Sequence, residues 1–293
     1  MKENKILDGC MSCSSRGIRI TRRLFNFSSV LASLLLPARV LSSKYPDITE
    51  RAISIKTEDG VCDAVLFYPK EGKFPAALIW TDIRGLRQSF KLMGKRLASQ
   101  GYVVLIPNPF YRSSPSPAPR EDFNYSNPEH RKEVFAMMKL LVEKDAAERD
   151  TSSFVKFLKG HSSVDNSRGM GVSGYCMGGP LAFRSASYYP DLISAVASFH
   201  GGGLVTEDEN SPHLLIKNSK SQFYIAIASD DDKRNPTVKN DLRKSFDEAN
   251  LEAEIEVYDT MKHGWCVSDS SMFDYSQAEV AWGNLINMYS KVL

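Results

Sequence analysis

The 293-residue sequence predicts an α/β fold in which a mainly parallel sheet is covered by helices on both faces. Two observations carry that expectation. Short, unbroken apolar runs such as Ala76–Trp80 and residues 103–106 have strand length and no polar face, as strands buried on both sides require. Segments with helical spacing follow several of these runs, so strand and helix signals alternate along the chain. A composition of 42% hydrophobic and 25% charged residues is enough to fill one large core.

The first elements form a hairpin. Residues 52–56 (AISIK) alternate with period two, Glu58-Asp59-Gly60 makes a turn, and residues 61–68 (VCDAVLFY) extend again until Pro69. After Ala76–Trp80, Phe90, Leu92, Met93 and Leu97 fall at helical spacing, and Gly101 stops that helix before the strand at 103–106. The stretch from Pro107 to Pro128 contains six prolines and follows the C-terminal end of a parallel strand, the edge where such sheets place ligands. It is expected to be either a lid-like functional loop or a flexible surface excursion, with the functional reading favoured. Further strands are expected at 170–173, 195–199, 223–228 and 253–258. Helices are expected after Cys176, after Pro236 and from about residue 277 to 289. No internal repeat and no second core is present, so residues 46–293 make one domain.

Residues 1–45 stand apart. Arg22-Arg23 precede a short, mildly apolar run from Phe27 to Ala38, shorter than the roughly 20 residues of a membrane span. This order matches a twin-arginine export signal and predicts a periplasmic or exported protein without a stable membrane anchor; the alternative is a cytoplasmic protein whose tail carries the arginine pair by chance. The net charge of +2, from 37 basic and 35 acidic residues mixed along the chain, creates no field that would hold nucleic acid. Five scattered cysteines, Cys10, Cys13, Cys62, Cys176 and Cys266, do not make a disulfide framework. Cys10 and Cys13 have the spacing of half a metal site, but no second ligand pair follows, so no metal is expected.

The chemistry concentrates at Gly174-Tyr175-Cys176-Met177-Gly178, between a strand and a helix. Gly-x-Cys-x-Gly in that context is a nucleophile elbow with sulfur in place of the usual oxygen. The tight turn tolerates no side chains two residues on either side, and the helix start points free amides at the thiol. Acyl chemistry also needs a base and a group to orient it, following the nucleophile in the order acid, then histidine. His263 lies after the last expected strand. Asp230, Asp231 and Asp232 follow the strand ending at Ala228, and counting from that strand end selects Asp231, with Asp232 next. His130, His161, His200 and His213 fit worse and are expected to be structural or loop-lining.

From about residue 48 to the C terminus the chain resembles the dienelactone hydrolase family of α/β-hydrolases. The elbow, the acid after the penultimate strand, the His-Gly-aromatic loop and Trp80-Thr81-Asp82-Ile83-Arg84-Gly85 match in order and spacing. The resemblance implies an α/β-hydrolase fold with Cys176 as nucleophile, His263 as base and Asp231 as its orienting acid. It implies that the amides of Met177 and Ile83 form the oxyanion hole, and that Asp82, in the place of the family's glutamate, contacts the resting thiol. The family's substrate-binding arginine a few residues past the histidine is absent, since Gly264-Trp265-Cys266-Val267 stand there. Arg84, Arg87, Arg112 and Arg120 are the candidates to supply a cation instead.

The expected function is therefore cysteine-dependent hydrolysis of small carboxylic esters or lactones through a thioester, with a small-molecule substrate and no cofactor. Two alternatives accompany it. One is a thiol redox protein pairing Cys176 with Cys266, and the other is a ligand-binding protein that keeps the fold without the chemistry.

Overall fold

The computed structural model describes residues 46–143 and 145–293, so the leader, Cys10 and Cys13 lie outside the described residues. The hairpin forms as expected from β1 (Ile48–Thr57) and β2 (Gly60–Pro69), paired antiparallel from Ile48 opposite Pro69 to Thr57 opposite Gly60. Six more strands follow: β3 (Ala76–Trp80), β4 (Val103–Pro107), β5 (Met170–Tyr175), β6 (Ile193–Phe199), β7 (Gln222–Ala228) and β8 (Ala253–Tyr258). All eight lie in one sheet of order β1-β2-β4-β3-β5-β6-β7-β8. The β1/β2 and β2/β4 pairs are antiparallel and the remaining pairs are parallel.

The helices are α1 (Gln88–Ser99), α2 (Pro128–Leu141), α3 (Ala146–Lys159), α4 (Gly178–Tyr188), α5 (Pro212–Leu215), α6 (Ser229–Arg234), α7 (Val238–Ala249) and α8 (Tyr275–Val292). Successive strand residues feed opposite faces, as the two-residue period demands. Leu78, Trp80, Leu105, Val172 and Ile225 pack with Val134 of α2, Phe154 of α3, Leu181 of α4 and Phe246 of α7. Ala77, Ile79, Val104, Ile106 and Tyr224 pack on the other face with Phe90 and Leu97 of α1 and with Trp282, Leu285 and Tyr289 of α8. Both faces are apolar because both are covered, which is why these strands show no alternation in sequence.

Three features differ from expectation. Leu92 is 53% exposed, and the buried stripe of α1 is Ser89, Phe90, Gly94, Leu97 and Ala98. Helices α2 and α3 fill a stretch for which the sequence reading gave no element. Helix α2 does carry a start signal, because the Asn127 side chain accepts from the Glu129 N–H and Pro128 occupies the first turn.

The proline-rich stretch is the third. It forms no strand or helix between residues 108 and 127, and its first half is pinned down. The Asn108 side chain donates to Asp63 and to the Ser114 carbonyl, the Ser116 N–H donates to Asp63, and Tyr111 donates to the buried Asp150 of α3. Phe110 and Ala118 are each 1% exposed. Gly85 packs against the Ala118 carbonyl so tightly that a Cβ would fall 2.1 Å from its oxygen. The stretch therefore braces the loop after β3 from outside.

Candidate active site

Strand β5 ends at Tyr175 and α4 begins at Gly178, which leaves Cys176 and Met177 to make the turn. Cys176 sits at φ +54°, in the left-handed region that a non-glycine residue occupies at a cost of about 1–3 kcal/mol. The Cys176 N–H donates to the Phe199 carbonyl of β6, while its own carbonyl accepts from the N–H groups of Gly179 and Gly202. The two glycines of the elbow are required by space. A Cβ on Gly174 would lie 1.9 Å from the Gly178 carbonyl oxygen, and one on Gly178 would lie 2.4 Å from that of Trp80. Gly178 thus lets the start of α4 press against the end of β3, beside the loop that carries Ile83.

Two backbone amides of these two segments are unspent. Among the described residues neither the Met177 N–H nor the Ile83 N–H has an acceptor within the chain. Met177 directly follows the half-buried Cys176 in the elbow, and Ile83 lies in the loop after β3, whose end Gly178 approaches. A pair of unspent donors in such a position can hold a developing oxyanion.

His263 lies in the loop after β8 and is held at two points by α6. Its N–H donates to Asp230 Oδ1 at 2.9 Å, and its ring Nδ1 lies 2.7 Å from Asp231 Oδ2. The third acid of the run turns away, with Asp232 accepting from Lys239 at 2.7 Å. Burial opposes charge on the His263 ring. The influence of Asp231 first, and then of Cys176, outweighs it and lifts the ring's pKa to about 10. Asp231 thus fixes the orientation of the imidazole and favours its charged form.

Asp82 does not fulfil its expectation. No hydrogen bond joins it to Cys176 among the described residues. Its two oxygens instead take Arg87 Nη1 and Nη2 at 2.6 and 2.9 Å, and Oδ1 also accepts the Arg84 N–H at 2.8 Å. The physical reason is competition: Arg87, at the N-cap of α1, presents two N–H groups to both oxygens of a side chain one methylene shorter than glutamate.

The arginines considered as substrate cations are also engaged. Arg84 and Arg87 bind Asp269, Arg112 binds Asp59 and Asp150, and Arg120 binds Asp122. A cleft of about 790 Å³ is lined in part by Arg84, Arg87 and Asp269, but by neither Cys176 nor His263.

Of the remaining histidines, His130 accepts from the Asn124 N–H, His161 from the Ser163 N–H, and His213 pairs with the Ser211 hydroxyl, so these three serve their own loops. His200 was undervalued by its sequence context. It is 1% exposed at φ +41°, its ring lies edge-to-face with that of His263 at 4.7 Å, and both its nitrogens lack hydrogen-bond partners among the described residues. Burial, and then the charge of His263, push its pKa well below the usual histidine value, so it stays neutral. The only hint in the sequence was its position at the end of a strand before Gly201-Gly202-Gly203.

Cys266 is buried with Tyr175, Tyr258 and Trp265 in the cluster on the α1/α8 side, whereas Cys176 packs against the opposite one. Burial pushes the Cys266 thiol well up, away from the reactive thiolate a resolving cysteine needs.

A model of the dienelactone hydrolase family matches residues 62–293. A protein of Aquifex aeolicus, named provisionally as a carboxymethylenebutenolidase, is 23% identical over 225 residues, spanning 75% of this chain and 89% of that one. Among solved structures, a protein of Klebsiella pneumoniae named provisionally as a dienelactone hydrolase superposes with a TM-score of 0.70 at 19% identity, over 83% of this chain and 99% of its own. A dienelactone hydrolase-like promiscuous phosphotriesterase from metagenomic libraries does so with a TM-score of 0.68 at 16% identity, over 84% and 98%. At these identities the two superpositions speak for the fold.

Proposed function

Because the chain belongs to the dienelactone hydrolase family, we propose that it hydrolyses small carboxylic esters or lactones with Cys176 as nucleophile and a thioester as intermediate. The observation that carries the proposal is Cys176 at a left-handed elbow between β5 and α4, in a chain whose histidine after β8, His263, is bonded at 2.7 Å to Asp231.

The Cys176 thiolate adds to the substrate carbonyl, and a C–S bond forms as the carbonyl electron pair moves onto oxygen. The resulting oxyanion rests on the N–H groups of Met177 and Ile83. As the tetrahedral species collapses, the C–O bond to the leaving alkoxide breaks and the protonated His263 gives up its proton to that alkoxide. The neutral ring then takes a proton from water, whose oxygen attacks the thioester. Collapse releases the acid and returns the thiolate beside an imidazolium. Asp231 holds the ring in one orientation and stabilises its charge without itself taking a proton.

The test is direct. Cys176→Ala is expected to reduce turnover of p-nitrophenyl acetate and of a simple lactone to background. Mass spectrometry of the wild type under turnover is expected to find an acetyl group on the peptide containing Cys176. Undiminished hydrolysis by the alanine variant would falsify the proposal.

A further inference from the structure

Arg87 joins two loops separated by more than 180 residues of sequence. Its Nη1 and Nη2 donate to the two oxygens of Asp82, its Nε and Nη2 donate to Asp269 at 2.7 and 2.9 Å, and its Nη1 also reaches the Gly85 carbonyl at 3.2 Å. Asp82 and Asp269 therefore lie on two edges of one guanidinium plane, an arrangement a lysine cannot copy. The Arg87 and Asp82 side chains are 13% and 12% exposed, so the pairing is shielded from competing water.

The Asp82 end of this clamp controls a particular piece of backbone. The Asp82 carboxylate accepts the Arg84 N–H and its carbonyl accepts the Gly85 N–H. Ile83 lies between these two closures with its own N–H unspent. The Asp269 end belongs to the loop that carries His263, where Arg84 adds a second contact to Asp269 at 3.0 Å. His263 itself is fixed separately, through Asp230 and Asp231.

We propose that Arg87 is a positioning residue for the hydrolysis, clamping the Ile83 turn to the His263 loop so that the Ile83 N–H meets the oxyanion. This rests on the cysteine hydrolase reading above. It assigns Asp82 to the oxyanion turn rather than to the thiol, and it makes Arg87 an interior strut rather than a substrate cation.

Two reactions separate this role from a merely structural one. Ester hydrolysis needs the oxyanion donors, whereas alkylation of Cys176 by iodoacetamide needs only the thiolate and its histidine. Arg87→Lys keeps the charge and loses the fork. It is expected to lower kcat for p-nitrophenyl acetate by about tenfold to a hundredfold, as expected for a donor displaced by around an ångström. KM and the alkylation rate of Cys176 should each stay within about twofold.

Asp269→Asn removes one arm at a more exposed position and should act in the same direction by several-fold, so it carries the test if the lysine variant fails to fold. The clamp is refuted if Asp269→Asn leaves kcat unchanged, or if alkylation slows in parallel with hydrolysis in either folded variant. Failure of the underlying reading has a different signature: Cys176→Ala would then retain turnover whatever Arg87 does.

Discussion

Two networks in this protein have the same parts. In each, an arginine about nine-tenths buried bridges two carboxylates: Arg87 between Asp82 and Asp269, and Arg112 between Asp59 and Asp150. They differ in depth and in what they join. Asp150 is 1% exposed, and burial lifts its carboxyl above the usual value despite the bonds from Arg112 and Tyr111. Asp269 is 36% exposed, and there the bonds from Arg87, with help from Arg84, overcome burial and draw its carboxyl below the usual value. The deep network is thus a poor source of stability that is nonetheless expensive to break, because either partner left alone is a buried charge. It ties the proline-rich stretch to the hairpin turn and α3. The shallower network ties together loops that carry the proposed chemistry. Identical chemistry serves architecture in one place and reaction geometry in the other, and location alone makes the difference.

The contrast is sharpest at the acid that touches the histidine. Asp231→Asn should remove the charge that holds the His263 ring and cost about 10²–10⁴ in kcat, equivalent to about 3–5.5 kcal/mol of barrier. Thermal unfolding should move far less than the rate does. Equal rates in the variant and the wild type would mean that the 2.7 Å bond to the ring is incidental. At the deep network the pattern should invert. Asp150→Ala is expected to lower the unfolding free energy by about 3–5 kcal/mol in urea titrations, with turnover per folded molecule within twofold. A large loss of rate with little loss of stability would erase the distinction between the two networks.

The next effect depends on pH. The folded pKa of His263, about 10, lies above the 6.5 of an ordinary histidine. The protonated ring therefore contributes stability that is fully present below about 6.5 and is lost as pH rises through about 10. A proton donor is lost over the same rise, so kcat/KM should hold through neutrality and fall on an alkaline limb near 10. In His263→Gln the unfolding temperature should lose its extra decline between neutral and strongly alkaline pH. A wild-type rate still climbing above pH 11 would exclude the charged pair.

The legible parts of this protein are those governed by short-range rules. Ala76–Trp80 announces a strand covered on both faces because five consecutive apolar residues have no solvent side to turn to. The elbow is visible because Gly174 and Gly178 occupy positions where a Cβ has no room. Partner choice is another matter. Nothing local to Asp82 shows that α1 will start at Gln88 and set Arg87 against it, because that depends on where a helix begins and on Asp269, far along the chain. Leu92 fits the apolar spacing of α1 yet lies on its outer side, since the sheet surface that selects the buried stripe is assembled from other segments. His200 looks like the end of a strand, and only the approach of the loop after β8 turns it into a neighbour of His263.

The smallest expected effect tests the finest of these distinctions. Asp230, Asp231 and Asp232 are consecutive in the first turn of α6, where each step rotates a side chain by about 100°. One therefore meets the backbone of His263, the next its ring, and the third Lys239 of α7. The Asp232–Lys239 pair has side chains 19% and 26% exposed and joins α6 to α7 without touching His263. Asp232→Asn should cost no more than about 1 kcal/mol of stability, since partly exposed ion pairs contribute little. The kcat should be unchanged, although the altered residue is adjacent to Asp231, whose loss is expected to be far more damaging. If Asp232→Asn instead slowed hydrolysis as much as Asp231→Asn, the rotation of α6 would not be what selects the acid, and the division of labour among the three carboxylates would have to be abandoned.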